Sequence, residues 1–314
     1  MRYSDVFYKK SSRIILGTAY FGDGIEEKDA FSLMDRFVEM GGTHIDTARL
    51  YADGRSEEIV GRWVRERKAF DIQVSTKGGF PKAESPDVGR LSDKEIREDL
   101  DKSLKATGFD CIDFYWLHQD DEKRSAGEIT ETLNALAKEG KIRAFGVSNW
   151  TTERVEESNR YAEEHGIMKI SASQMRFNPA VMNEDGKIAH LVGMDKESFI
   201  YYKEKNIPVV AYSSQAKGVF SKMAETGEDS LSDKAKKRYL NEENAKTLAV
   251  LIKLAKEHGI SVASLICSAF CSFTEPEVFP LIGGRKLSQI EDSVKGADTL
   301  ISKEELSEIF KFII

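Results

Sequence analysis

The chain has 314 residues, with 46 Lys and Arg against 53 Asp and Glu, a formal net charge of −7, 40% apolar residues and 32% charged ones. This composition excludes a disordered or collagen-like chain, and the mildly acidic balance argues against a nucleic-acid partner, which needs a basic face. The longest apolar runs, such as Ile112–Leu117, fall far short of the roughly 20 residues a membrane span requires, and the N-terminus lacks the apolar core of a signal peptide.

Along the chain, short β-rich runs alternate with longer amphipathic ones. Strands are expected at Arg13–Gly17, Thr43–Asp46, Ile72–Thr76 and Ile112–Leu117, and again at Ile142–Val147, Ile170–Gln174, Ile207–Ser213 and Val278–Ile282. Helix signals lie between them. Ser56 precedes a run with Ile59, Trp63 and Val64 on one side, and Ser92 with Glu95 forms a capping box before Ile96, Leu100 and Leu104. Ile129, Leu133 and Leu136 have helical spacing. Thr152 can cap the next helix, Ala245–Ala255 forms another helical face, and Ser302 with Glu305 starts a C-terminal helix. Alternation of this kind, repeated about eight times, argues for parallel βαβ units, and a closed α/β (β/α)8 TIM barrel fits one domain over residues 1–314. A doubly wound sheet would want a G-x-G-x-x-G turn after the first strand. The segment Gly17-Thr18-Ala19-Tyr20-Phe21-Gly22 does not match that spacing. Two stretches, Asn178–Met194 and Ser214–Asn244, read as long loops at the C-terminal face, where barrel active sites form.

Cys111, Cys267 and Cys271 are too few and too irregularly spaced for a disulfide framework, so a reducing, cytoplasmic setting is expected. The histidines (His44, His118, His165, His190, His258) are scattered without ligand spacing, and no metal site is expected.

In a barrel, polar residues at C-terminal strand ends are the first suspects. Asp46, Lys77 and His118 end three consecutive strands, and Tyr51 follows Asp46 on the loop. Strand parity places His44 on the face of Asp46, Ser75 with Lys77 and Trp116 with His118. A carboxylate beside the lysine keeps it charged, and a nearby ammonium favours the phenolate of a tyrosine. An imidazole can orient a carbonyl oxygen. Such a set suits proton delivery to an oxygen that is gaining negative charge. His44, one step deeper, reads as a barrel-interior residue. No serine or cysteine is paired with a base for acyl transfer.

The segments GGTHIDTARLYADGRSEEIVGRW, VSTKGG, DFYWLH and GVSNW, in this order and spacing, resemble the aldo-keto reductase superfamily, from about Ile15 to about Ser293. The resemblance implies a barrel enzyme that reversibly reduces aldehydes or ketones with a nicotinamide cofactor. It implies that Tyr51 donates the proton, that Lys77 lowers the pKa of Tyr51, that Asp46 holds Lys77 and that His118 hydrogen-bonds the substrate oxygen. By the same likeness Ser148, Asn149 and Gln174 hold the carboxamide and Tyr212 stacks on the nicotinamide. Ser213 and Gly218 begin the pyrophosphate loop, and Gly283, Arg285 and Gln289 lie near the adenosine phosphate. Arg285 suits a 2′-phosphate because a guanidinium forks onto phosphate, which favours NADP(H) over NAD(H). Ser293 stands where asparagine is common in the family, and Arg176 where an acidic residue is commoner; a structural ion pair is expected for Arg176.

Phe21, Trp116 and Trp150 are candidates to line an apolar substrate pocket, with core packing as the alternative for Trp116. The expected partner is a small carbonyl substrate; no protein partner is evident. Two other readings use the same residues. A class I aldolase would form a Schiff base on an uncharged Lys77, and a non-catalytic, redox-sensing subunit would bind cofactor with slow turnover.

Overall fold

Runs of β-branched and aromatic residues, each ended by a glycine or polar turn, form the strands of a parallel barrel in this computed structural model, which describes residues 1–186 and 190–314. A hairpin of β1 (Tyr3–Ser4) and β2 (Ser11–Ser12) precedes it. The barrel strands follow in chain order as β3 (Ile15–Gly17), β4 (His44–Asp46), β5 (Gln73–Gly78), β6 (Ile112–Leu117), β7 (Ile142–Ser148), β8 (Ser173–Arg176), β9 (Val209–Tyr212) and β10 (Val278–Ile282). Each pairs in parallel with its chain neighbour, and β10 closes the circle by pairing with both β9 and β3.

Helices cover the outside. The first five are α1 (Glu27–Glu39), α2 (Arg55–Arg67), α3 (Asp93–Thr107), α4 (Ala126–Lys138) and α5 (Thr152–His165). They are followed by α6 (Lys196–Lys205), α7 (Val219–Thr226), α8 (Asp233–Tyr239) and α9 (Glu242–His258). The last three are α10 (Val262–Ser272), α11 (Leu287–Lys295) and α12 (Lys303–Ile309). The capping boxes at Ser92 and Ser302 form as the sequence predicts. The cap of α5 is Thr151, one residue before the expected Thr152. Ser56 lies inside α2 and does not cap it; its hydroxyl reaches Thr18 Oγ1 at 2.8 Å and Thr47 Oγ1 at 2.9 Å, tying α2 to the strand ends.

The barrel interior is filled by Phe7, Ile15, Phe114, Trp116, Ala172, Val210 and Phe279. Phe7, from the hairpin, stands edge-on to His44, Phe114 and Phe279 at centroid distances of 5.0, 5.2 and 5.0 Å and closes the barrel floor. Two further apolar layers lie between strands and helices. The expected loop Ser214–Asn244 is instead largely helical. It carries α7, α8 and the start of α9, anchored by Val219, Phe220, Met223 and Tyr239. The charged run Asp229–Arg238 within it reads as a solvated helix, and α8 bears that out; the other helices have few apolar anchors to show a period. In the expected loop Asn178–Met194, Glu184–Gly186 form a 3-10 turn, and residues 187–189 lie outside the described residues.

Candidate active site at the C-terminal mouth of the barrel

The ladder between β4 and β5 aligns Asp46 with Ser75, and that between β5 and β6 aligns Lys77 with Trp116. Asp46 and Lys77 therefore point into the barrel at its upper rim. Past β4 the backbone continues the ladder, with Thr47 N–H on Ser75 O at 2.8 Å and Arg49 N–H on Lys77 O at 2.9 Å. It then turns through Tyr51–Gly54. Ala52 and Asp53 take φ of 49° and 53°, a left-handed conformation that costs of order 1 kcal/mol each in non-glycine residues. Arg49 holds the turn: it donates to Asp53 O and, at 2.8 Å, to Glu57 Oε2. Glu57 is fully buried, and its other oxygen accepts from Thr76 Oγ1 at 2.6 Å. Gly54 has φ of 88°, and a Cβ there would lie 1.4 Å from the Arg49 guanidinium, so only glycine fits.

This turn brings Tyr51 over Lys77. Lys77 Nζ donates to Asp46 Oδ2, to Thr47 O at 2.7 Å and to the Tyr51 hydroxyl at 3.5 Å. Lys77 is 0% and Asp46 1% exposed. Burial alone would push the Lys77 pKa down, but Asp46 and Tyr51 outweigh it and hold the group above its ordinary value, so the lysine is an ammonium. For Tyr51 the expected lowering is not the net result. Lys77 pulls the phenol down, but burial pushes it up more strongly, and the pKa stands above that of a free tyrosine. The His118 ring sits 6.0 Å from that of Tyr51 and 5.0 Å from that of Phe80. Burial and then the Lys77 charge push His118 well below its ordinary value, so it is a neutral imidazole. The four expected residues are thus brought together as a phenol, a neutral imidazole, an ammonium and its carboxylate, a set able to donate a proton to an oxygen and stabilise its charge.

A cavity of about 890 Å³ opens from Lys77 and His118, past Leu50 and Phe80, to run between α2 and α3. Cations such as Lys82, Lys102 and Lys105 outnumber carboxylates in its lining, which also holds Asp53, Glu58, Glu84 and Asp99. Phe21, Trp116 and Trp150 are not part of that lining. They are 1%, 0% and 1% exposed: Trp116 packs in the barrel interior 4.5 Å from the Phe114 ring, and Phe21 and Trp150 pack in the layers between strands and helices, Trp150 beneath the Arg154 guanidinium. All three, expected to line a substrate pocket, thus lie in the packed interior, the alternative expected for Trp116. Leu50 and Phe80 occupy the mouth instead, and their places on the loops after β4 and β5 were the signal for them.

The residues expected around a cofactor fall along the adjoining rim. Asn149, with φ of 59°, donates to His118 O at 3.2 Å and to Ser148 Oγ at 3.1 Å, and accepts from the Tyr212 hydroxyl at 2.7 Å. Gln174 Nε2 lies 3.4 Å from Asp46 Oδ1. Ser213 (φ 52°) and Gly218 (φ 76°) flank the turn into α7, whose first N–H groups have no side-chain cap. Gln289 Oε1 accepts from the backbone N–H of Arg285 at 2.8 Å, just past Gly283, and the Arg285 guanidinium lies 4.6 Å over the Tyr20 ring. No sequence signal marks Gln215, which donates to Ser293 Oγ at 3.1 Å and joins the turn after β9 to α11. Arg176, at the end of β8, makes no ion pair among the described residues, and its guanidinium reaches Met182 Sδ at 3.4 Å.

The whole sequence is similar to those of known oxidoreductases. The chain is 28% identical over 318 residues to norsolorinic acid reductase B of Dothistroma septosporum, covering 95% of this chain and 77% of that protein. It is 27% identical over 313 residues to norsolorinic acid reductase of Aspergillus flavus, covering 95% and 76%. It is 26% identical over 288 residues to aryl-alcohol dehydrogenase GME11368 of Pestalotiopsis microspora, covering 90% and 72%. The model of the aldo/keto reductase family matches residues 13–314. With the barrel and the strand-end residues in place, the chain belongs to the aldo/keto reductase family and is an oxidoreductase acting on carbonyl or alcohol groups.

Proposed function

We propose that the protein reduces aldehydes or ketones to alcohols, reversibly, with NADP(H) in preference to NAD(H). The observation that carries this reading is Tyr51 held 3.5 Å from an ammonium that Asp46 keeps charged. In the reduction Tyr51 gives its proton to the carbonyl oxygen while the neutral His118 ring orients that oxygen. Lys77 steadies the phenolate left behind. The same charge on Lys77 disfavours a Schiff base, which needs the free amine.

The donor set fits a nicotinamide nucleotide. The amides of Asn149 and Gln174 and the Ser148 hydroxyl suit a carboxamide, and the Tyr212 ring suits stacking. The uncapped first turn of α7 behind Gly218 suits a pyrophosphate. Arg285 suits a 2′-phosphate. The cofactor, when bound, supplies the hydride. Leu50 and Phe80 with the cationic lining favour aromatic carbonyl substrates that carry a carboxylate. Separate titrations with NADPH and NADH, read by tryptophan fluorescence and calorimetry, test the reading. Saturable binding with NADPH the tighter ligand is expected; no binding of either would overturn it.

A further inference from the structure

Below the site, the barrel axis holds polar side chains that the reaction as described leaves unused. Ser11 on β2, His44 on β4 and Ser75 on β5 are all 0% exposed. Ser11 Oγ lies 2.9 Å from His44 Nδ1, His44 Nε2 lies 3.1 Å from Ser75 Oγ, and Ser75 Oγ donates to Asp46 Oδ1 at 2.6 Å. These contacts form a continuous chain from the floor hairpin to the counter-ion of Lys77.

Counting protons gives the chain a direction. An ionised carboxylate only accepts, so Ser75 commits its one proton to Asp46. Ser75 Oγ then accepts from His44, which makes Nε2 the protonated ring nitrogen and leaves Nδ1 to accept from the Ser11 hydroxyl, for which it is a nearer acceptor at 2.9 Å than Ser12 O at 3.2 Å. Gln73 Nε2 is 3.4 and 3.5 Å from the two ring nitrogens and does not reverse this order. The charges around His44 are Lys77, Asp46 and Tyr51 above. Below is the Lys9–Asp113 pair at 2.8 Å, linked to Gln73 by the Lys9 N–H at 2.9 Å. Burial, and then the Lys77 charge, push His44 down to about 3, so the ring is neutral.

We propose that His44 is a positioning residue for the reduction: it turns the Ser75 proton onto Asp46 Oδ1, leaving Oδ2 for Lys77 and keeping the ammonium within reach of Tyr51. The inference rests on the role proposed above for Tyr51. Without Ser75, Asp46 Oδ1 keeps only the long Gln174 contact, and without His44 the Ser75 hydroxyl loses the donor that fixes and polarises it toward Asp46. The carboxylate then draws harder on Lys77, Lys77 supports the phenolate less, and Tyr51 releases its proton less readily.

Two measurements test this. The first needs no activity: the 15N shifts of the His44 imidazole report its tautomer. A neutral ring protonated at Nε2 from pH 5 to 8 is expected; protonation at Nδ1, or a charged ring at pH 6, would overturn the chain. The second is the pH profile of kcat for His44→Phe, Ser75→Ala and the double variant. Each single change should move the alkaline limb upward by about half a pH unit or more, and the double variant should move it no further. His44→Gln keeps a donor and should restore the wild-type limb. Profiles that fall uniformly without shifting, or shifts that add in the double variant, would reduce His44 to a packing residue. If the wild-type protein reduced no carbonyl compound, the role of Tyr51 would fail. The tautomer measurement would still decide whether the chain exists.

Discussion

The Tyr51 hydroxyl lies 3.5 Å from Lys77 Nζ, and that same ammonium stands 5.0 Å from the centre of the Tyr51 ring. One cation therefore touches both the oxygen that gives up a proton and the ring that shares the resulting charge. Because burial holds the phenol above its ordinary value in the free protein, Tyr51 keeps its proton at neutral pH and is ready to donate it.

Asp46→Asn leaves the buried Lys77 ammonium without its counter-ion. Breaking one side of a fully buried pair costs about 3–5 kcal/mol, and both partners here are at most 1% exposed. The urea midpoint of this variant should fall sharply at pH 7. An unchanged midpoint would mean that Lys77 sheds its proton at little cost.

Acid should unfold the protein partly through His44. Its folded pKa of about 3 lies below the ordinary value of 6.5. The stability tied to the neutral ring is therefore complete above pH 6.5 and is lost as pH falls from there toward 3. The loss amounts to a few kcal/mol. His118, lowered for the same reasons, contributes with the same sign. Denaturant unfolding from pH 7 to 4.5 should show a shallower decline in His44→Gln than in the wild type, and parallel declines would contradict the assignment.

Arg285→Ala should weaken NADPH more than NADH, by about tenfold, since a charge-assisted pair with phosphate is worth roughly 1.5–3 kcal/mol. Calorimetric affinities for both nucleotides decide this. Equal losses would remove Arg285 from 2′-phosphate recognition.

The cationic cavity lining predicts a salt effect. KM for 4-carboxybenzaldehyde should rise between low and physiological ionic strength, while KM for benzaldehyde stays flat. Lys82→Glu should raise only the former. Identical behaviour of the two aldehydes would show that the lining plays no part in substrate choice.

The alternation of strands and helices was legible because each barrel strand is an apolar run ended by a turn. The site was legible because strand parity and strand ends fix where Asp46, Lys77 and His118 point. Boundaries slipped where pairing overrides composition: Ile170–Gln174 was expected as a strand, but pairing with β9 carries β8 on to Arg176, opposite Tyr212. The hairpin of β1 and β2 has two residues per strand, too few to show a period. Helix α8 has Tyr239 as its one buried residue, so its charged run reads as a solvated helix with no apolar face to fix its bounds. The depth of Phe21, Trp116 and Trp150 is another feature that sequence does not carry. Sequence places them near the mouth, but only packing shows that Trp116 faces Phe114 inside the barrel.

The central claim is that Tyr51 is the proton donor. The most direct test compares NADPH-dependent reduction of an aromatic aldehyde by the wild type and Tyr51→Phe, with cofactor affinity measured on the same samples. Loss of the phenol should lower kcat by about 100-fold or more while leaving NADPH binding within about twofold. A Tyr51→Phe variant that turns over at the wild-type rate would contradict the account.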